Sequence, residues 1–466
     1  MELTEEELEQ FRERRDTFAP EMYDLNKVLD DTIVGEHAAR MSLFTIFILS
    51  KICSYVSGPS AGGKTAIMDA VIDTLMPGDG VVVEGGSDKA IFDKEREIKK
   101  AKYVEIRELN KVNQLWIEIF KSWGEGKEFI YERAQIQGGN KKFILPPRPF
   151  VVSRADESAN EHDVGAEFRS RMVEVVVDGS QDQTLSVIDW QAESKEDPFD
   201  VKHVDKVFKA CVKWHVGHLP EPDIIVNPAA TVLTKYIPSV FTTARRDFPK
   251  YLANCEGIAK FYHRDRMIVD IKGKKTLFVT PADLFLNHYI FGTAMIASAL
   301  RCNQLEKQMI QIIEKYGELT KADIQRCLRK YQINVTLRVI DNHLNHLGDL
   351  GYLNIDKPKR ENVYSVSDFY NEFTVSPDFN EIVEAIKQKM RTNKNYQPFA
   401  EEYIKRFCGD GETLMVKDPI SGQDINILTY QFDKPHEVQL VGGEQGTGDV
   451  DSDYLYTRKP LFLTID

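Results

Sequence analysis

Between residues 31 and 180, short apolar runs alternate with stretches of helical period. Residues 55–57, 81–83, 103–106, 150–153 and 173–177 are runs of this kind, and they predict strands. Residues 66–75 set Ile67, Met68, Val71, Ile72 and Leu75 at helical spacing, predicting a helix that buries those five. Strand and helix in alternation predict an α/β core on a parallel sheet. Upstream, residues 1–30 predict a charged helix over 5–16 and a connector broken at Pro20. Residues 181–302 turn helical, with few strand signals.

Residues 303–367 read as a separate small module. Helices are expected over 305–316, after Thr320, and over 336–350; Thr320 has Asp323 three residues on, a capping signal. The third helix is expected to bury Val339, Ile340, Leu344, Leu347 and Leu350. Strands at 352–355 and 363–366 complete the pattern of a winged helix. Residues 368–466 are poorly periodic and carry no functional expectation. Within them, residues 442–453 (GGEQGTGDVDSD) are poor in apolar side chains and are expected to be mobile.

Composition narrows the classes. The chain has 466 residues, 42% of them hydrophobic, enough for two to four domains with real cores at about 100–200 residues each. Its formal charge of −13 does not advertise nucleic-acid binding, so any such contact must rest on local lysines and arginines. The longest apolar candidate, 41–52, falls short of a membrane span and contains Lys51. The six cysteines show no C-x-x-C spacing, and the charged amino terminus is no signal peptide. A cytoplasmic protein with reduced thiols and no membrane partner is expected.

The sharpest chemical signal is Gly58-Pro59-Ser60-Ala61-Gly62-Gly63-Lys64-Thr65, between a predicted strand and a predicted helix. Its glycines let backbone N–H groups converge on phosphates, and the helix adds its positive end. Lys64 would reach the β/γ-phosphates of ATP and Thr65 would offer its hydroxyl to Mg²⁺. Hydrolysis also needs an acid at a strand end. Glu108, closing Lys102-Tyr103-Val104-Glu105-Ile106-Arg107-Glu108, is the first candidate and Glu105 the second. The other reading of that segment is a surface strand with Tyr103, Glu105 and Arg107 pointing outward. Ser153 ends the apolar run at 150–153, where it could adjoin the γ-phosphate. Arg171, in Glu167-Phe168-Arg169-Ser170-Arg171-Met172, is a candidate donor across a subunit boundary.

The order of these motifs, with Ile33-Val34-Gly35-Glu36 before them and Thr243-Ala244-Arg245-Arg246-Asp247-Phe248 after, resembles the AAA+ ATPases. Within that class it is most similar to the MCM-related replicative helicases, including helicase-like ATPases of plasmids, viruses and integrated elements. The resemblance spans roughly residues 30–300. It implies an ATPase core over 31–180, a helical lid over 181–302 and a carboxy-terminal winged helix over 303–367. It also implies that Val34 and Gly35 lie against adenine, that Ser153 is sensor 1, Arg171 the arginine finger and Arg246 the sensor 2 arginine, with Arg245 its rival. Arg107 stands where the family carries Asp, and only about thirty residues precede the core.

Residues 128–145 carry a hairpin signal: an alternating run at 129–137, a Gly138-Gly139-Asn140 turn, and a return strand. Its place before the sensor strand resembles the pre-sensor-1 hairpin of that clade, which implies that Lys141 and Lys142 grip single-stranded DNA in a channel. The other reading is a loop with two solvated lysines. In the winged helix, Arg338, Asn342, Lys357, Lys359 and Arg360 are the DNA-contact candidates. The resulting expectation is a hexameric ATP-dependent DNA helicase or translocase. Alternatives are an initiator or loader that uses ATP as a switch, and a regulatory ring of weak catalysis.

Overall fold

The computed structural model describes residues 3–58, 61–76, 78–83, 90–107, 114–134, 140–155, 168, 170–196, 204–237, 244–292, 302, 304–331, 333–358, 361–368, 370 and 376–432. Five strands form one parallel sheet: β1 (Ser54–Gly58), β2 (Gly80–Val83), β3 (Tyr103–Ile106), β6 (Phe150–Ala155) and β7 (Val173–Val176). Their spatial order is β2-β3-β6-β1-β7. The α/β reading of this region holds.

The sheet is covered on both sides, so its strands are apolar throughout and not alternating. Along β1, Cys53 and Tyr55 join one hydrophobic cluster and Val56 joins the other. On β6, Phe150 and Val152 face the first side and Val151 the second. One face is packed by α5 (Ala90–Asp93), α6 (Glu95–Lys100) and α7 (Gln114–Gly124) through Phe92, Trp116, Phe120 and Trp123. The other is packed by α2 (Met22–Asp30), α3 (His37–Leu43) and α4 (Lys64–Leu75). In α4 all five residues expected to be buried are buried. Of the expected connector upstream, α2 is an ordered amphipathic helix that buries Met22, Leu25, Val28 and Leu29; α1 (Glu5–Arg14) buries none of its residues.

Beyond the sheet run α8 (Gln181–Glu196), α9 (Lys206–Gly217), α10 (Ala244–Phe261) and α11 (Pro281–Asn287). The expectation of few strands here is corrected. Strands β8 (Ile224–Val226), β9 (Ile268–Ile271) and β10 (Lys274–Phe278) form a second sheet, ordered β8-β10-β9. β9 and β10 pair antiparallel around Lys272 and Gly273, both of positive φ. That turn usually shows itself as Asn-Gly or Asp-Gly, and Lys-Gly conceals it.

Next come α12 (Gln304–Tyr316), α13 (Lys321–Lys330) and α14 (Leu337–Asp349), with strands β11 (Leu319–Thr320), β12 (Leu353–Asp356) and β13 (Val363–Val366) in one antiparallel sheet. Thr320 and Asp323 form the expected capping box on α13. Ile340, Leu344 and Leu347 are buried on α14, but Val339 is exposed because it falls one residue off their stripe.

The segment after 368 is also corrected. α15 (Phe379–Thr392) buries Phe379, Ile382, Val383, Ile386 and Met390, a regular amphipathic stripe. With α16 (Ala400–Phe407) and the hairpin β14 (Met415–Lys417)–β15 (Asp424–Asn426), it packs on the helical body. Phe379, Tyr430 and Phe432 surround Phe285, and the Tyr403 hydroxyl donates to the Val279 carbonyl at 2.7 Å. The 442–453 tract lies outside the described residues.

Candidate nucleotide site

β1 leaves the sheet at Gly58, whose φ of +150° is foreign to most side chains. A Cβ there would lie 2.2 Å from Cγ2 of Val177, at the end of β7, so only glycine permits this closure of strand against strand. Ala61 is held at φ +60°, a strained conformation of the sort that accumulates at functional turns. Gly63, at φ +81°, caps α4 and brings no side-chain acceptor to its first N–H groups. The Lys64 ammonium bends back to the Gly58 carbonyl at 3.0 Å, and Thr65 is half-buried behind it. A glycine-capped helix amino terminus, a lysine and a hydroxyl at one strand end suit a polyphosphate and a hard cation. Pro59 and Ser60 lie outside the described residues.

The loop of Val34, Gly35 and Glu36 borders the same edge. The Gln183 amide donates to the Val34 carbonyl at 2.9 Å, and its Oε1 sits where a Gly35 Cβ would be. The buried Arg40 donates to the Ile33 carbonyl at 3.1 Å and to Asn26 at 2.6 Å, and it pairs with Asp30. Glu36 accepts from the Asp178 N–H, at 3.2 and 3.1 Å to its two oxygens. Burial raises its carboxyl to about 7, against the lowering effect of that N–H. Arg40 and Gln183 were not singled out in the sequence. Their role comes from folding distant segments together, and no local spacing announces it.

The strand β3 is central to the sheet. Glu105 is 3% exposed, so the reading of a surface strand is corrected. Burial raises the Glu105 carboxyl, and Arg107 opposes the rise from 3.3 Å. Arg107 also pairs with Asp69 of α4 at 3.2 Å. The register aligns Glu105 with Val151, and Val151 with Ser54. Four residues of strand, about 13 Å, therefore separate the level of Glu105 from Gly58. Glu105 belongs to a structural ion network and does not reach the phosphate loop. Asp69, an acid among apolar residues on α4, was the overlooked member. Ser153 faces Val56, and its hydroxyl donates to the Arg107 carbonyl. Glu108 lies outside the described residues.

The two arginine motifs meet elsewhere. Arg246 donates to the Ser170 hydroxyl at 2.6 Å, and Lys250 donates to the carbonyls of Ser170 and Met172 at 2.8 and 3.1 Å. The neighbouring Arg171 is largely buried and pairs with Glu125 at 2.6 Å. Lys127 and Arg171 together hold the Glu125 carboxyl down at about 2. Arg171 precedes Val173, which pairs with Ser54 at the start of β1. This cluster therefore stands at the opposite end of the strands from Lys64.

The hairpin forms from β4 (Phe129–Ala134) and β5 (Asn140–Leu145), in register from Phe129–Leu145 to Ala134–Asn140. Its base is pinned on α5 and α6: Phe92 stacks on Tyr131 at 4.5 Å, and Glu95 accepts from the Ile144 N–H at 3.0 Å. Lys141 and Lys142 are exposed near its far end, and strand alternation sends them to opposite faces. The Lys141 ammonium lies 4.5 Å from the Phe143 ring centre, and Lys142 is the register partner of Glu132 across the ladder. The turn at Gly138 and Gly139 lies outside the described residues. On the module after 303, Arg338, Asn342 and Lys357 are exposed, while Lys359 and Arg360 lie outside the described residues. No hydrogen bond or ion pair links the described ones among these residues to the turn at Gly58 and Lys64.

No described helix is long and apolar enough to cross a membrane. No family model and no curated protein matches the chain. Among solved structures, a protein of Cytophaga hutchinsonii ATCC 33406 proposed to be an ATPase aligns with 66% of this chain and 97% of its own. The two are 13% identical and the TM-score is 0.37, a level of likeness that adds nothing to the reading of the site.

Proposed function

We propose that this chain is an ATP hydrolase of the AAA+ type that assembles with copies of itself and moves on DNA. The observation that carries the nucleotide part is the positive φ of Gly58, Ala61 and Gly63, between a buried parallel strand and α4, which has Lys64 in its first turn. Thr65 would take Mg²⁺, and Val34 and Gly35 would border the base of the nucleotide. ATP bound there would supply the phosphoryl group, and the role left to the protein is to position and neutralise. Ser153, fixed on Arg107, is the polar group on β6, beside β1 at the level of Val56.

Assembly is supported by the place of Arg171 and Arg246. Neither reaches the pocket of its own chain, Arg171 being paired with Glu125 and Arg246 with Ser170, so any action of theirs on ATP would be on a second copy's. Translocation is supported by the anchored ribbon carrying Lys141 and Lys142 and by the three-helix, three-strand unit at 304–366, which we read as a winged helix. The helices and second sheet of 181–302 take the part of the lid. A hexamer is the closed form proposed. The alternative of an ATP-switched initiator or loader draws on one observation: Arg171 is engaged with Glu125, and a finger so held fires slowly.

The test is ATP turnover and strand separation, with and without single-stranded DNA. The wild type is expected to cycle repeatedly and to be stimulated by DNA; slow, unstimulated turnover favours the switch. Lys64→Ala is expected to abolish turnover, and normal turnover in that variant removes the nucleotide site from the P-loop.

A further inference from the structure

A cavity of about 430 Å³, the size of a small-ligand site, lies at the other end of the sheet from the phosphate loop. It opens where β3 and β6 begin, at Tyr103 and Pro149, whereas Lys64 follows the end of β1. Phe47, Met76 and Tyr103 give it an apolar wall. The Phe47 and Tyr103 rings meet edge to face at 5.6 Å. The Tyr103 hydroxyl donates to the Met76 carbonyl at 3.2 Å, so the ring offers a ligand only its apolar body.

Four cations line the same cavity: Lys51, Lys100, Lys102 and Arg148. Arg148 donates to the carbonyls of Ile98 at 3.1 Å, Lys99 at 2.8 Å and Pro147 at 3.3 Å, which fix the guanidinium without neutralising it. No carboxylate among the described residues pairs with Lys100 or Arg148. Lys102 pairs with Asp79 at 2.8 Å. Lys51 pairs with Glu221 at 3.5 Å, an acid that Lys260 also holds at 2.8 Å. In a chain of formal charge −13, the cations gathered here outnumber the carboxylates they meet. Like charges around an apolar wall repel one another until an anion joins them. The backbone of Lys51 is also held at φ +56°, a left-handed conformation that a lysine rarely adopts and that collects at functional sites.

We propose that this cavity binds a phosphomonoester with a small apolar body, its phosphate at Lys51, Lys100, Lys102 and Arg148 and its body against Phe47, Met76 and Tyr103. A phosphate dianion offers several acceptor oxygens to converging donors, and lysine grips it as a mobile point charge. The closed apolar wall favours a small molecule over a nucleic-acid strand running through. The site is separate from the phosphate loop and does not rest on ATP hydrolysis or on assembly.

The experiment titrates phenyl phosphate into the full chain by calorimetry at low salt, with inorganic phosphate and phenol as the two halves of the probe. Phenyl phosphate is expected to bind saturably. Inorganic phosphate should bind more weakly, because it leaves the apolar wall bare, and phenol should not bind measurably. Lys51→Asn/Lys100→Gln removes two exposed charges, and asparagine tolerates the positive φ. This variant should melt as the wild type does and bind phenyl phosphate about tenfold or more weakly, the weight of lost charged hydrogen bonds. Lys64→Ala should keep the wild-type affinity. A wild type without saturable binding overturns the site. So does unchanged affinity in the double variant, or a loss that follows Lys64→Ala instead. Inorganic phosphate as tight as phenyl phosphate overturns the apolar part of the ligand. Binding that needs an oligonucleotide in place of the aryl phosphate overturns the small molecule.

Discussion

Lys64 and Arg171 stand at opposite ends of two neighbouring strands of one parallel sheet. Lys64 follows Gly58 at the carboxyl end of β1, and Arg171 precedes Val173, the neighbour of Ser54 at the amino end. The separation along the strands is about 13 Å before either side chain is counted. An arginine so placed, and paired with Glu125, is far from the Lys64 turn of its own chain; the assembly proposed above would give it a neighbour's.

Mixing therefore has a predictable result. Lys64→Ala and Arg171→Ala should each be inactive alone, while Arg171→Ala still binds ATP. Equal amounts together should recover about a quarter of wild-type turnover, since half the copies keep the pocket and half keep the arginine. A mixture as inactive as its parts, in a sample shown to assemble, removes Arg171 from the site.

Arg107 is the counter-charge of a buried acid. Arg107→Met should leave Glu105 without its partner and lower stability by about 1–3 kcal/mol, discounted because Arg107 is partly exposed. Adding Glu105→Gln should return part of the loss. Urea unfolding of the two variants checks the ordering; a double variant weaker than the single one contradicts it.

Glu36 makes stability depend on pH. Its carboxyl is raised from the ordinary 4.5 to about 7 in the folded chain. Between those values the folded state holds a proton that the unfolded state has released. Stability contributed by Glu36 is thus full below about 4.5 and lost as pH rises to about 7, at up to about 1.4 kcal/mol per pH unit. Glu36→Gln keeps an acceptor for the Asp178 N–H and should flatten this part of a melting-temperature profile. An unchanged profile would place the proton elsewhere.

The hairpin lysines divide two readings. Lys141→Ala/Lys142→Ala should leave basal ATP turnover intact and remove its stimulation by single-stranded DNA, with a smaller salt dependence of DNA binding. Stimulation equal to wild type returns the pair to the status of solvated surface charges.

The five strands and α4 could be read in the chain because each buries what its own sequence displays: Val104, Val151 and Val175 are core residues wherever they are met. The turn between β1 and α4 was legible for the same reason, since Gly58 and Gly63 act through local geometry. Glu105 was not. A carboxylate in a strand suggests surface, and only Arg107 and Asp69 together make its burial tolerable. Gln183 and Arg40 act on residues far off in sequence, so nothing near them in the chain declares their task. α15 is a different miss: its stripe of Phe379, Ile382, Val383, Ile386 and Met390 was there to be counted, but it follows a stretch without period and shares its flanks with polar residues.

The enclosure of Phe285 by Phe379, Tyr430 and Phe432 changes how the chain can be cut. A protein engineer who stops it near residue 370, keeping every motif of nucleotide chemistry, would be removing a wall and not a tail. The bared rings would invite clumping before any assay of activity began.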